Sequence, residues 1–244
     1  MEESMNISKE VAMVWSIANK LRGPYKSDKY KDVIIPMVIV RRFECALSKT
    51  KKAVLEEYEK DKTTPAKILC QKSGYSFYNT SKFDLKELLN DSEHIAANFK
   101  SYINGFSANI KEIIDNLSFS AEIDKMDKNN RLLGVIKDFS NLDLNPETIS
   151  NHKMGYIFED IIRRFSENAE AGDHFTPREV IKLMVDVLLS EGSDDLMAAG
   201  KTVTILDAAC GTGGMLSTAR DAILKMNPDA DIQLFGQEVN PESY

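Results

Sequence analysis

The stretch that decides the fold is Thr204-Ile-Leu-Asp-Ala-Ala-Cys-Gly-Thr-Gly-Gly-Met-Leu216, in which an apolar run breaks into a glycine-rich turn. Residues 203–206 predict a buried strand with Asp207 at its carboxyl end, and the run from Met215 to Lys225 predicts a helix. A strand, a glycine turn and a helix form the first half of a βαβ nucleotide-binding unit, whose ligand lies beyond the carboxyl end of the strand. Glycine lets the backbone approach a ligand closely, and the N–H groups at a helix start favour an electron-rich partner. The stretch therefore predicts a nucleotide-like ligand.

The glycine spacing separates the candidate ligands. The sixth position counted from Gly211 is Leu216, where a dinucleotide fingerprint, G-x-G-x-x-G, requires glycine. No lysine follows these glycines before Lys225, so the Gly-Lys-Ser/Thr ending of a phosphate-binding P-loop is missing as well. The turn is therefore poorly suited to bind a pyrophosphate or a triphosphate. The remaining alternatives are another nucleotide-type ligand, or a βα turn of some other α/β protein that binds nothing.

A second strand is predicted from Ile232 to Phe235, and it runs into Gly236-Gln237-Glu238. An acid at the end of that strand can accept hydrogen bonds from both hydroxyl groups of a ribose. The first strand, Asp207 and the glycine turn resemble motif I of S-adenosylmethionine-dependent methyltransferases. In those enzymes the acid after the first strand faces the methionine end of the cofactor, and the glycines make room for its body.

Another motif lies upstream, in Gly172-Asp-His-Phe-Thr-Pro-Arg-Glu-Val180. Pro177 suits the first turn of a helix, Thr176 is a good N-cap, and Glu179 lies three residues after Thr176, as in a capping box. Apolar residues then recur at helical spacing. On local grounds the motif predicts a helix start and nothing more.

The motifs together, in their order along the chain, resemble the modification (M) subunit of type I restriction–modification systems, a family of N6-adenine DNA methyltransferases. The segment from Leu21 to Phe43 resembles the start of that subunit's helical N-terminal domain, and Gly155-Tyr-Ile-Phe-Glu159 resembles the segment leading into Phe-Thr-Pro. The usual Asp-Pro-Ala of the family is Asp207-Ala-Ala here, a departure that keeps the acid and the glycines.

The resemblance implies S-adenosyl-L-methionine as the cofactor, with the Phe-Thr-Pro segment folded over its methionine part. It also implies DNA, a specificity subunit and a restriction subunit as partners. The residues implied to bind the cofactor are Asp173, His174, Phe175, Thr176, Pro177, Arg178, Asp207, Gly211, Thr212, Gly213, Gly214 and Glu238.

The family's catalytic motif, Asn-Pro-Pro followed by Phe or Tyr, does not occur in these residues. The Asn-Pro pairs at Asn145, Asn227 and Asn240 lack the second proline and the aromatic residue. We therefore expect the chain to be a fragment of a longer subunit, with a methyltransferase domain cut after about two strands. No catalytic residue can be nominated, and the 244-residue chain alone is expected to be inactive.

Composition limits the remaining possibilities. The chain has 43% hydrophobic and 28% charged residues, and its apolar run from Val33 to Val40 is too short to span a bilayer. Three dispersed cysteines and the lack of a signal pattern predict a cytoplasmic protein, and three histidines without ligand spacing predict no metal. The net charge is −7, but residues 20–60 hold eleven Lys/Arg against six Asp/Glu, so that a local basic face could contact DNA phosphates.

Periodicity predicts a helical domain over residues 1–145, which ends near Leu144-Asn145-Pro146, followed by the start of an α/β methyltransferase domain, Rossmann-like, over residues 146–244. The apolar run around Pro36 is compatible with either a kinked helix or a β-like stretch. Two other classes stay open: a nucleotide-binding oxidoreductase, which Leu216 disfavours, and a helical structural adaptor. The other predicted helices cover residues 6–20, 53–60, 84–89, 94–103, 108–117 and 130–139.

Overall fold

The structure is a computed structural model that describes residues 8–26, 29–166 and 176–239. The chain divides into two compact units, Met1–Glu170 and Ala171–Tyr244. No helix among the described residues is long and apolar enough to cross a membrane.

The first unit is built of helices. Its α-helices are α1 (Ser8–Ala18), α2 (Lys31–Leu47), α3 (Lys51–Lys60), α4 (Ala66–Ser73), α5 (Ile95–Asn104), α6 (Ala108–Asn116), α7 (Phe119–Lys128), α8 (Leu132–Ser140) and α9 (Asn151–Ser166), with 3-10 turns at Asn19–Leu21 and Glu87–Asn90. The prediction of a helical region up to about residue 145 is therefore confirmed.

Helix α2 forms the centre of this unit, with α7, α8 and α9 packed against it. Val33, Ile34 and Met37 are fully buried on it, and they belong to one apolar core that continues through Phe99 and Phe139. The alternatives left open for the apolar run are settled in favour of a helix, because Pro36 lies inside α2. Proline removes one backbone donor from a helix, and burial of the flanking apolar side chains stabilises α2 despite that loss.

The other predicted helices are recovered, with two differences. Residues 84–89 form only a short 3-10 turn at Glu87–Asn90, and helices α4 and α7 were not predicted. Both had detectable patterns. Pro65 and Gly74 flank α4, and Phe119, Ile123 and Met126 recur at helical spacing on the buried side of α7.

Two neighbouring arginines of α2 hold the connection between α8 and α9. Arg41 Nε donates to the Leu142 carbonyl at 2.7 Å. Arg42 is 8% exposed and donates from Nη1 to the carbonyl oxygens of Leu144, at 2.7 Å, and Ile149, at 2.8 Å. Its Nη2 donates to Asn151 Oδ1 at 2.6 Å. The backbone of the connection thus finds hydrogen-bond donors roughly a hundred residues away in the sequence.

The second unit contains α10 (Arg178–Leu188), β1 (Thr202–Asp207), α11 (Gly214–Met226) and β2 (Asp231–Gly236), with a 3-10 turn at Ser193–Met197. The two strands pair in parallel, as predicted for strands joined by a helical crossover, and Asp207 pairs with Gly236. The described part of this unit is therefore a short α/β segment with a two-stranded sheet.

Helix α11 packs on one face of this sheet, and α10 packs on α11. Ile181 and Val185 of α10 and Ala219 of α11 are buried together, with Ile205 of β1 packed against them. The opposite face of the sheet is open, because Leu206, which pairs across the strands with Phe235, is 69% exposed.

Candidate cofactor site

The carboxyl ends of β1 and β2 are joined by backbone hydrogen bonds beyond the last strand residues. The Gln237 N–H donates to the Asp207 carbonyl at 2.9 Å, and the Cys210 N–H donates to the Gln237 carbonyl at 2.9 Å. Because the strands are parallel and in register, the segments that follow both strands leave the sheet at the same edge. Of the two acids predicted to bind a cofactor, Asp207 is the last residue of β1 and Glu238 lies in the segment that follows β2.

The glycine turn requires glycine for two different reasons. Gly211 and Gly213 have φ of +51° and +77°, a left-handed conformation that strains other residues, and a Cβ at either position would project into open space. Gly214 begins α11 in ordinary helical conformation, but its Cβ would lie 3.0 Å from Ile181 Cδ1. The first two glycines thus shape the turn and leave space beside it, whereas Gly214 allows α10 to pack closely.

Both predicted acids lie against this turn and are half-buried. Asp207 Oδ1 accepts the Ala209 N–H at 3.1 Å. Glu238 Oε2 accepts the Gly211 N–H at 2.8 Å, and its Oε1 accepts the Val239 N–H at 2.8 Å. The fold therefore brings Asp207, Glu238 and the glycine turn, which are separated by up to thirty residues in sequence, into one constellation with two negative charges.

The upstream motif differs from its prediction in one respect. Helix α10 begins at Arg178, with Pro177 in the N-cap position at ψ of 142°, and no side chain caps it. Thr176 is therefore not the N-cap: because Pro177 is extended rather than helical, the helix starts one residue later and the expected capping box does not form. The Pro177 carbonyl accepts the first helical hydrogen bonds, from the N–H groups of Val180 and Ile181 at 3.0 Å each.

The residues predicted to cover the cofactor are only partly described. Asp173, His174 and Phe175 lie outside the described residues. Thr176 and Pro177 are exposed and Arg178 is half-buried at the start of α10. The described contact of this helix with the glycine turn is made one turn later, where Ile181 packs beside Gly214.

Gly236 is a site residue to which the sequence analysis assigned no role. A Cβ at this position would lie 2.8 Å from Cys210 Sγ and 3.3 Å from Leu216 Cδ1. The glycine lets Cys210 pack against the end of β2, which keeps the segment carrying Glu238 close to the turn. The available pattern was a glycine directly after a predicted strand, which often marks a close backbone approach.

The same packing gives Cys210 a structural role. Among the described residues, no group of three His, Cys, Asp or Glu side chains could hold a metal ion.

Comparison with known families decides the relationship of the chain. The family model of the HsdM N-terminal domain matches residues 11–139, which is more than half of the chain, and the model of the N-6 DNA Methylase family matches residues 149–244. The chain belongs to the HsdM family. The resemblance to a modification subunit is thereby confirmed.

Curated relatives of the chain are methylase subunits. The type I restriction enzyme MjaIX methylase subunit of Methanocaldococcus jannaschii is 24% identical over 260 residues, which cover 95% of this chain and 43% of the relative. The type I restriction enzyme EcoEI methylase subunit of Escherichia coli is 27% identical over 139 residues, 57% of this chain and 26% of the relative. The MjaVII methylase subunit of M. jannaschii is 26% identical over 80% of this chain. The chain thus spans less than half the length of the relatives it matches.

The boundary between the two family matches and the boundary between the two compact units lie at different places in the chain. The methylase family match begins at residue 149, but α9 packs against α1 and α2 of the first unit, which ends at Glu170. The domain boundary near residue 145 stays a prediction.

Proposed function

We propose that the chain supplies the cofactor-binding part of a type I DNA methyltransferase subunit, and that its cofactor is S-adenosyl-L-methionine. The observation that carries the proposal is the meeting of Asp207 and Glu238 at the glycine turn, at the ends of neighbouring parallel strands. In open α/β sheets, ligands bind outside the carboxyl ends of the strands. The proposal includes a Rossmann-like continuation of the sheet in the complete subunit.

The residues present fit such a cofactor. Glu238 has the acceptor atoms needed for the two ribose hydroxyl groups, and Asp207 would face the positively charged amino group of the methionine part. Gly211 and Gly213 leave open space beside the turn, where a side chain would otherwise stand. Thr212 and Gly214 complete the turn, and residues 173–178 would form the opposite wall. Bound S-adenosyl-L-methionine supplies an electrophilic methyl group on a sulfonium centre.

The acceptor is proposed to be the N6 amine of adenine in DNA, as the family relationship suggests. Such a reaction requires the target base to leave the duplex and its amine to be held in line with the methyl group. In the family these tasks fall to the Asn-Pro-Pro-aromatic motif, which the 244 residues do not contain. The chain therefore binds and orients the cofactor, and the groups that hold the base belong to another part of the subunit.

The helical unit is proposed to contact partners, namely the specificity subunit, the restriction subunit and DNA. The basic excess between residues 20 and 60 is partly neutralised in the fold. Lys20 pairs with Asp138 at 2.5 Å, and Lys49 pairs with Glu147 at 2.5 Å. Arg42 points inward to the α8–α9 connection. These pairings favour protein contacts over a strongly basic DNA surface for this segment.

The proposal is tested with Glu238→Ala in a complete methylase subunit that carries these residues. The loss of charge-assisted acceptors on the ribose is expected to cost about 1.5–3 kcal/mol, or roughly a 10- to 150-fold weaker S-adenosyl-L-methionine affinity. Isothermal titration calorimetry measures the affinity of both subunits for S-adenosyl-L-methionine. Glu191→Ala, which removes an exposed acid of the same unit, serves as the control and should bind like the unsubstituted subunit. An unchanged affinity in the Glu238→Ala subunit would refute the assignment.

A further inference from the structure

Four backbone amides between residues 209 and 213 are already paired within the protein. Two of these donors are paired with carboxylates and two with carbonyl groups. The pairs are Ala209 N–H with Asp207 Oδ1, Gly211 N–H with Glu238 Oε2, Cys210 N–H with the Gln237 carbonyl, and Gly213 N–H with the Cys210 carbonyl.

The charge at the first glycine of the turn is opposite to that of a phosphate-binding turn. In P-loops and dinucleotide-binding turns, backbone N–H groups at the start of a helix point at the phosphate and the local field is positive. Here the Gly211 N–H, at the first glycine of the turn, donates to Glu238 at 2.8 Å. A phosphate group brought to the first glycine of this turn would meet two carboxylates and a Gly211 N–H whose hydrogen is already engaged.

The other polar contacts of Glu238 keep it in this position. Its second oxygen accepts the Val239 N–H at 2.8 Å, and the segment that carries it is fixed by the Gln237–Asp207 and Cys210–Gln237 backbone hydrogen bonds. The close packing of Cys210 on Gly236 acts in the same direction. The negative charge is therefore built into the turn by the fold.

We propose that Glu238 and Asp207 act as a charge filter, which excludes nucleotides with a 5′-phosphate and admits nucleosides whose 5′ substituent is neutral or cationic. The inference rests on the proposed function, since it assumes that a nucleoside lies with its ribose at Glu238 and its 5′ side over the glycine turn. It adds a specificity role for the two acids, because the same carboxylates that bind the ribose and the amino group repel the phosphates of abundant nucleotides. A sulfonium centre carries positive charge and is favoured at the same place.

Adenosine and adenosine 5′-monophosphate (AMP) are the probes for this filter, because they differ only in the 5′-phosphate. The ¹⁵N-labelled 244-residue chain is titrated with each of them, with the Gly211 amide resonance as the reporter. The titrations are run at about pH 7.5, where a phosphate monoester carries nearly two negative charges, and at a fixed ionic strength of about 0.1 M, because salt screens the effect. NMR detects millimolar binding, so a weak site remains measurable. We expect AMP to bind at least about tenfold more weakly than adenosine.

The variant Glu238→Gln retains an oxygen acceptor for the Gly211 N–H but removes the charge. It is expected to reduce the adenosine-to-AMP affinity ratio about tenfold. The matched control is Asp221→Asn, which removes one exposed carboxylate of α11 about 10 Å along the helix from the turn. It should leave the ratio unchanged.

Three results would overturn the inference, and they differ in what else they overturn. Equal binding of adenosine and AMP by the unsubstituted chain refutes the filter and leaves the proposed cofactor site standing. An equal change of the ratio in the Asp221→Asn variant shows a general effect of net charge instead of a local one. Failure of adenosine itself to bind removes the proposed nucleoside site, and the filter with it.

Discussion

The substitution Arg42→Met tests whether the α8–α9 connection is held by α2. Methionine keeps most of the buried side-chain stem but removes the guanidinium group. That group donates to the carbonyl oxygens of Leu144 and Ile149 and to Asn151 Oδ1, at 2.6–2.8 Å. Burial lowers the pKa of Arg42 from its ordinary value, so the charge has a desolvation cost that these three acceptors offset.

The magnitude follows from the two carbonyl groups that lose their donor. A buried acceptor left unsatisfied costs about 1–3 kcal/mol, and breaking a buried charged contact typically costs about 3–5 kcal/mol. We therefore expect the free energy of unfolding of the first unit to fall by about 3–5 kcal/mol, equivalent to a melting temperature lower by roughly 10 °C for a unit of this size. The stability of the Arg42→Lys variant should fall between that of the unsubstituted chain and that of the Arg42→Met variant, because one ammonium group cannot reach all three acceptors.

The assay uses the chain's single tryptophan. Trp15 lies in the first unit and packs on Phe165 with ring centroids 4.8 Å apart, so its fluorescence reports the unfolding of that unit. Urea titration gives the free energy, and hydrogen exchange of the Ile149 amide, which donates to the Asn145 carbonyl at 2.8 Å, reports local release of the connection. The control Arg131→Met replaces an exposed arginine and should change stability by less than about 0.5 kcal/mol. A loss below about 1 kcal/mol for Arg42→Met would refute the reasoning.

Four further outcomes are expected. Gly213 has a φ of +77°, so Gly213→Ala should lower the stability of the second unit by about 1–2 kcal/mol, measured by hydrogen exchange. Gly134 is exposed inside α8 with room for a Cβ, so Gly134→Ala should raise the stability of the first unit by up to about 1 kcal/mol. Equal effects of the two substitutions would contradict the backbone explanation. Gly214→Ala should cost less stability when it is combined with Ile181→Val, because that substitution removes the Cδ1 atom that the new Cβ would approach to 3.0 Å. Strictly additive changes in stability in the double-mutant cycle would exclude the contact. Burial and the neighbouring acid Glu44 raise the pKa of Tyr102 well above 10.0. The contribution of Tyr102 to the stability of the folded state is therefore complete below pH 10 and is lost as the pH rises above that value. Tyr102→Phe should flatten this alkaline decline in melting temperature, and an unchanged slope would contradict the explanation. The 244-residue chain should transfer no label from radioactive S-adenosyl-L-methionine to genomic DNA, even with a specificity subunit present, and label above background would show that the active site was misplaced.

Much of the fold could be predicted because its determinants are local. The period of apolar residues marks most helices, and the change from an apolar run to glycines marks the strand, turn and helix of residues 202–226. Where a prediction from local sequence was wrong or undecided, the structure shows the physical reason. The capping box at Thr176 did not form because the backbone of Pro177 is extended, and the run around Pro36 could be assigned only once its burial was known.

The members of the candidate site could be proposed from the sequence, but the contacts between them could not. An acid after each predicted strand and the glycines between them were visible in the sequence. Their mutual arrangement was not visible. That Glu238 accepts the Gly211 N–H, and that Gly236 admits Cys210, depends on two strand ends meeting in register.

The sequence by itself determined most of the order of elements, the family of the chain and the residue types available at the ends of β1 and β2, because periodicity and motif spacing are properties of neighbouring residues. The tertiary structure alone decided which amides of the glycine turn are already paired and how Arg42 holds a segment about a hundred residues away. Those contacts depend on distances between parts of the chain that are remote in sequence, and packing of the two cores sets these distances.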